Sequence, residues 1–288
     1  MNAVKLESSL SKSHALAESL LVWVSVMLLL WAAKHAPDFS TWQKNVLGQS
    51  FLTNAACLIV PPLLIITLTR RDVGEYGIAF KHLKHPLVVG FRSLIVLVPA
   101  TGAFPLLGAL HLSPYDWKGG LILALFFGVS LPLVGVAVRK MPTLHEQSAS
   151  NRHVTGLLLF LAIVIMLAAA ALPYSRIVAN LLYAMFFVGL GEELLFRGYI
   201  QTRLNQAFGK PRQMLGVRYG WGLIVAALLF GLSHVFSPSN PFQLAWGLWT
   251  FVFGLVCGYL RAKSGNIVAS AVAHGVLISF PFIFSGGV

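Results

Sequence analysis

The stretch Ile177–Ile200 reads IVANLLYAMFFVGLGEELLFRGYI. Its length matches the ~20 residues that a helix needs to cross ~30 Å of hydrocarbon. Yet this apolar run carries two adjacent carboxylates, Glu192 and Glu193, and a guanidinium, Arg197. Charges at such depth are costly and are usually functional. The stretch therefore reads as a membrane helix with a polar site inside it.

The rest of the chain extends the first half of that reading. Of 288 residues, 57% are hydrophobic and only 10% charged, where soluble domains carry about 25% charged residues. Mean hydropathy is +0.78. These values exclude a disulfide scaffold, a disordered chain and an ordinary cytosolic enzyme, and predict an all-α, polytopic transmembrane bundle. Nine apolar segments reach spanning length: about 16–33, 51–69, 87–110, 119–138, 154–173, 177–200, 220–237, 242–260 and 266–285. The first, preceded by Lys5 and Lys12, resembles a signal peptide but lacks a small-residue cleavage site, so it is kept as a helix.

The formal net charge of +12 does not indicate nucleic acid, because the 21 Lys and Arg form no stripe or tail. With nine spans, fifteen of them fall in the N-terminus and the loops on its side, and four on the other. Arg92 and Arg197 lie within segments. The asymmetry places the N-terminus in the cytoplasm. Cys57 and Cys257 sit in apolar runs and read as buried thiols. No loop is long enough to fold alone. A polar break at 139–153 separates residues 1–150, about five spans of unassigned role, from residues 151–288.

The deep ionisable residues all fall in that second part: Glu192, Glu193, His234 and His274. On a helix, Glu193 and Arg197 are four apart and share a face, so pairing would neutralise one carboxylate. Glu192 would point about 100° away, free for chemistry. Phe230 and His234 are likewise four apart, so an aromatic ring can orient the imidazole. Ser270 stands one turn before His274.

Taken in order, Glu192-Glu193-x-x-Phe196-Arg197-Gly198, then Phe230-x-x-x-His234, then a last His274, resemble the motifs of the CPBP family. This group comprises CAAX prenyl endopeptidases and bacteriocin-processing (Abi) proteins. The resemblance covers roughly residues 177–280, and Gly254-x-x-x-Gly258 resembles the family's close helix packing. It implies an intramembrane endopeptidase. Glu192 would be the catalytic carboxylate and His234 would help it activate water. His274 would bind the oxyanion, and Glu193 and Arg197 would form the supporting pair. The family's last motif is usually His-x-x-x-Asn, and here Ile278 stands where the amide should be. Ser270, or at a poorer angle Ser279, is a candidate to replace that donor. Losing one oxyanion donor costs about 10²–10³ in rate.

No cofactor is expected. Glu192, His234 and His274 as a His₂Glu zinc site is the alternative, without the His-Glu-x-x-His helix typical of zinc proteases. The expected partners are membrane lipid and a membrane-associated or lipidated protein or peptide, in a bacterial inner membrane. Two other classes compete. One is a proton- or ion-coupled transporter using the paired glutamates, against which stands the absence of a visible repeat. The other is an inactive CPBP-fold scaffold or immunity protein, for which Ile278 argues.

Overall fold

A computed structural model describes residues 12–237 and 240–284. Lys5, the tip of the loop at 238–239 and the end of the last apolar segment lie outside the described residues. Each apolar segment is helical: α1 (Lys12–Lys34), α2 (Phe51–Leu68), α3 (Lys84–Ala109), α4 (Trp117–Val138), α5 (Arg152–Ala171), α6 (Arg176–Phe208), α7 (Trp221–Val235), α8 (Leu244–Ser264) and α9 (Val268–Phe284). Among the described residues, seven are long and apolar enough to cross a membrane, while α7 and α9 are shorter apolar helices. A short helix, Pro37–Leu47, links α1 to α2. The little strand structure consists of two hairpins, one of them pairing Arg212–Met214 with Val217–Tyr219. The protein is an all-α integral membrane bundle.

Apolar side chains with no partner crowd the outside, among them Leu21, Leu28, Ile95, Leu125 and Leu159. Such a surface is tolerated only against lipid. α8 is the most enclosed of the seven long helices, 61% of its apolar window being buried, and α1 the most peripheral at 22%. One continuous core joins residues from α1 to α9, so the two halves of the chain share their packing. The 139–153 break does not hang free: Leu144 N–H donates to Lys263 O, and Asp72 accepts from the Ala149 N–H and the Ser148 hydroxyl.

Two local features position the site. α6 is not a uniform α-helix. The turn Leu190–Glu193 lies between π-helical segments Ala184–Gly189 and Leu194–Ile200, and such widened turns are frequent at functional sites. α2 has a further π segment, Ala55–Ile59. It sits just before Pro61 and Pro62, which lack the N–H groups that would continue the α ladder. Helix contact is also unusually close. A Cβ built on Gly189 would stand 2.6 Å from Gly275 Cα, so α6 and α9 touch backbone to backbone. Gly265, at φ +68°, lets the chain turn from α8 into α9 beneath the His145 carbonyl.

Candidate functional site

The close crossing of α6 and α9 explains why Glu193 and His274 meet. Glu193 and Arg197 are both fully buried, and Arg197 Nη1 donates to Glu193 Oε1 at 2.9 Å. This is the pair read from the i,i+4 spacing. The same oxygen lies 2.9 Å from His274 Nδ1. An ionised carboxylate only accepts, so Nδ1 carries the proton and Nε2 points onward. His274 Nε2 lies 3.7 Å from Glu192 Oε2. Ser270 and Cys257 also face the Glu193 carboxylate.

Arg197 has further partners on α8 and α7, although its buried Nε has no hydrogen-bond partner among the described residues. Its Nη2 donates to Gly254 O at 3.1 Å, and its guanidinium lies 4.4 Å from the Phe230 ring centre. One turn on, Gln201 Nε2 donates to Gly258 O at 3.1 Å. The two glycines of Gly254-x-x-x-Gly258 thus bare their carbonyls to residues four apart on α6. Close approach of small residues permits this.

Phe230 is the aromatic centre of the arrangement. Its ring meets His234 edge-on at 4.7 Å and His274 at 5.7 Å. The backbone orients His234 further: its Nδ1 lies 2.8 Å from Phe230 O, a pure acceptor, so Nδ1–H donates and Nε2 keeps its lone pair. Trp23 Nε1 donates at 2.8 Å to the neighbouring Ser233 hydroxyl, which fixes peripheral α1 against the site.

Two cavities meet at His234. A small one of about 170 Å³ is lined by Glu192, His234, Asn54 and Ser233 among apolar side chains from α1, α2 and α6. A larger one of about 690 Å³ is lined by His234 and His274 with Phe127, Trp246, Trp249 and Phe253. His234 belongs to both. Ile278 faces the large chamber, so that wall is apolar where the resemblance calls for an amide.

The serines expected to replace that amide do not reach either space. Ser270 donates to Ile267 O at 3.0 Å and Ser279 to Gly275 O at 2.7 Å, and neither lines a cavity described above. The Ser279 hydroxyl is turned to its own helix, as serine in an apolar helix commonly is, and Ser270 also lies within reach of the Glu193 carboxylate. Cys57 and Cys257 are buried free thiols. Among the described residues, no three His, Cys, Asp or Glu side chains are grouped so as to hold a metal ion.

Sequence reasoning missed one contact and two residues. Glu193 serves His274 as well as Arg197, a contact across 81 positions that no local spacing reveals. Asn54 reaches the Glu192 cavity from α2. Glu18, near the start of α1, accepts hydrogen bonds from Arg71, Arg203 and Tyr199.

Residues 174–279 match the family model described as type II CAAX prenyl endopeptidase Rce1-like. The match bears out the resemblance read from the three motifs. The chain is also 31% identical over 84 residues to Aquaporin NIP3-1 of Arabidopsis thaliana, covering 27% of this chain. It spans about a quarter, 26%, of that relative's length, an overlap that carries no functional argument. No solved structure matches.

Proposed function

With the Rce1-like match over residues 174–279 as premise, we propose that this membrane protein is an intramembrane endopeptidase of the glutamate type. The observation that carries the reading is the meeting of Glu192 with both imidazoles. Glu192 shares a cavity with His234 and lies 3.7 Å from His274 Nε2.

In this mechanism Glu192 takes a proton from a water held in the small cavity, while the His234 Nε2 lone pair holds the water's other hydrogen. The water oxygen attacks the scissile carbonyl carbon, and charge collects on the carbonyl oxygen. His274 donates to that oxyanion through Nε2. Donating through both ring nitrogens requires the imidazolium, whose charge Glu192 balances before the attack and the oxyanion balances after it, since Glu193 is paired with Arg197. Glu192 then passes its proton to the leaving amide nitrogen and the peptide bond breaks. Arg197 keeps Glu193 ionised and so fixes the ring of His274.

The aromatic chamber suits a lipid-borne or strongly apolar substrate, so the substrate is a membrane-associated or lipidated protein or peptide. Lys and Arg asymmetry argues for a cytoplasmic N-terminus, with the site opening to the cytoplasmic half of a bacterial inner membrane. Residues 151–288 form the catalytic part, and residues 1–150 contribute walls to it.

Glu192→Ala, His234→Ala and His274→Ala should each abolish cleavage while the protein still accumulates. Wild-type cleavage by Glu192→Ala removes the reading. Activity should survive exhaustive chelation; a requirement for zinc at one ion per chain would replace the glutamate mechanism by a metal one.

A further inference from the structure

A third cavity, of about 570 Å³, lies between the first half of α5 and helices α3, α6 and α9. Its walls are apolar: α3 gives Leu87, α6 gives Met185 and Leu190, and α9 gives Val268 and Val272. Aromatic contacts mark its two ends. Phe80 lies 5.9 Å from His153, and Phe160 meets Phe186 edge-on at 5.1 Å. His153 and Phe160 are about 10 Å apart along α5 at 1.5 Å per residue. Gly156 helps to keep the slot open, since a Cβ built there meets nothing within 4 Å. α5 packs mainly on the start of α6 and on the helix Pro37–Leu47. Arg152, Gly156 and Phe160 are exposed, so the slot opens on the lipid-facing flank of the bundle.

Charge is confined to one end. Arg152 and His153 line the slot where α5 begins, beside Phe80 and Leu83. The exposed Lys81 and Lys84 flank those two residues in sequence. No ion pair of the described residues involves Arg152. No Asp or Glu lines the slot. An apolar space of this kind does not hold water, and its volume falls in the range of ligand pockets, about 300–1,000 Å³. A cationic rim above an apolar slot complements a phosphate joined to an acyl chain, and basic pockets between spans bind anionic headgroups.

We propose that this cavity binds an anionic phospholipid, with an acyl chain between α5 and α9 and the phosphate at Arg152. A zwitterionic lipid has the same phosphate but brings a further cation to a rim that is already cationic. Glu192, His234 and His274 do not line the slot, so the proposal stands independently of the endopeptidase reading.

The test adds phosphatidylglycerol or phosphatidylcholine of identical acyl chains to the delipidated full-length protein in detergent. Native mass spectrometry counts the bound lipid, and thermal unfolding is followed in parallel. Wild type should bind phosphatidylglycerol more tightly and be stabilised by it. Arg152→Gln should weaken that binding about 5-fold, the effect of one basic residue near a lipid surface, and erase the preference between the lipids. Gly156→Phe should fill the slot and abolish binding of both. Arg139→Gln, at an exposed cation outside the slot, should bind as wild type does. Equal binding of the two lipids by wild type would overturn the proposal. So would unchanged phosphatidylglycerol binding in Arg152→Gln or Gly156→Phe, or an equal loss in Arg139→Gln. Competition by glycerol phosphate as strong as that of the intact lipid would also overturn it, because the slot would then contribute nothing. If Gly156→Phe fails to accumulate, the surface variant Arg152→Gln decides alone.

Discussion

At the scale of residues, the site depends on one buried carboxylate with two clients. Glu193 is wholly enclosed and binds Arg197 and His274 through the same oxygen. Removing one member of a buried pair costs about 3–5 kcal/mol because the other charge is left unpaired. Arg197→Met should therefore destabilise by about that amount, read from unfolding in detergent. Arg197→Lys should still fail to support full activity. A lysine is a point charge and cannot bind Glu193 and Gly254 O as a planar fork while lying over Phe230. The Glu193–Arg197 bond was legible in the sequence because four residues make one helical turn. The Glu193–His274 bond was not, since it depends on where two distant helices cross. Ser270, read as a candidate substitute donor, donates to Ile267 O beside the Glu193 carboxylate and lines neither cavity.

At the scale of elements, the crossing of α6 and α9 sets the site geometry. Gly189→Ala would press a methyl into Gly275. Overpacking of this kind costs about 1–3 kcal/mol, and here it should also part Glu193 from His274. Thermal unfolding and cleavage should fall together. Loops contribute differently. Burial works against the charge on Asp72, but hydrogen bonds from Ser148 and the Ala149 and Gly74 N–H groups outweigh it and hold its carboxyl below the usual range. A carboxyl depressed on folding stabilises above its unfolded pKa, about 3.9, and that contribution is lost as pH falls through the lower folded value. Amide exchange at residues 143–150, corrected for intrinsic rate, should thus stay protected at pH 5 and rise only at more acidic pH. In Asp72→Ala it should be fast at pH 5 already. Hydropathy marked the nine apolar helices, but α6 runs eight residues past its apolar segment and the more polar helix Pro37–Leu47 left no such signal. The π turns of α6 left no such mark in the sequence.

At the scale of the whole molecule, a lipid-facing shell encloses a polar interior that charge segregation alone revealed. Four deep ionisable residues in the last third pointed to the site, and all four converge there. What the first five helices do was not legible, because their contribution is carried by single ordinary residues such as Trp23, Asn54 and Glu18. Glu18 binds Arg71 at 2.6 Å and Arg203 at 2.6 Å, tying α1 to the ends of α2 and α6. Glu18→Ala should loosen α1 and expose the Glu192 cavity, which exchange at α1 would register. The most direct test of the central claim uses membranes incubated in ¹⁸O-water. Wild type should generate new peptide C-termini carrying one ¹⁸O from the solvent, and Glu192→Gln should generate none. Equal labelling in the two, or no solvent-labelled terminus in wild type, would contradict the account.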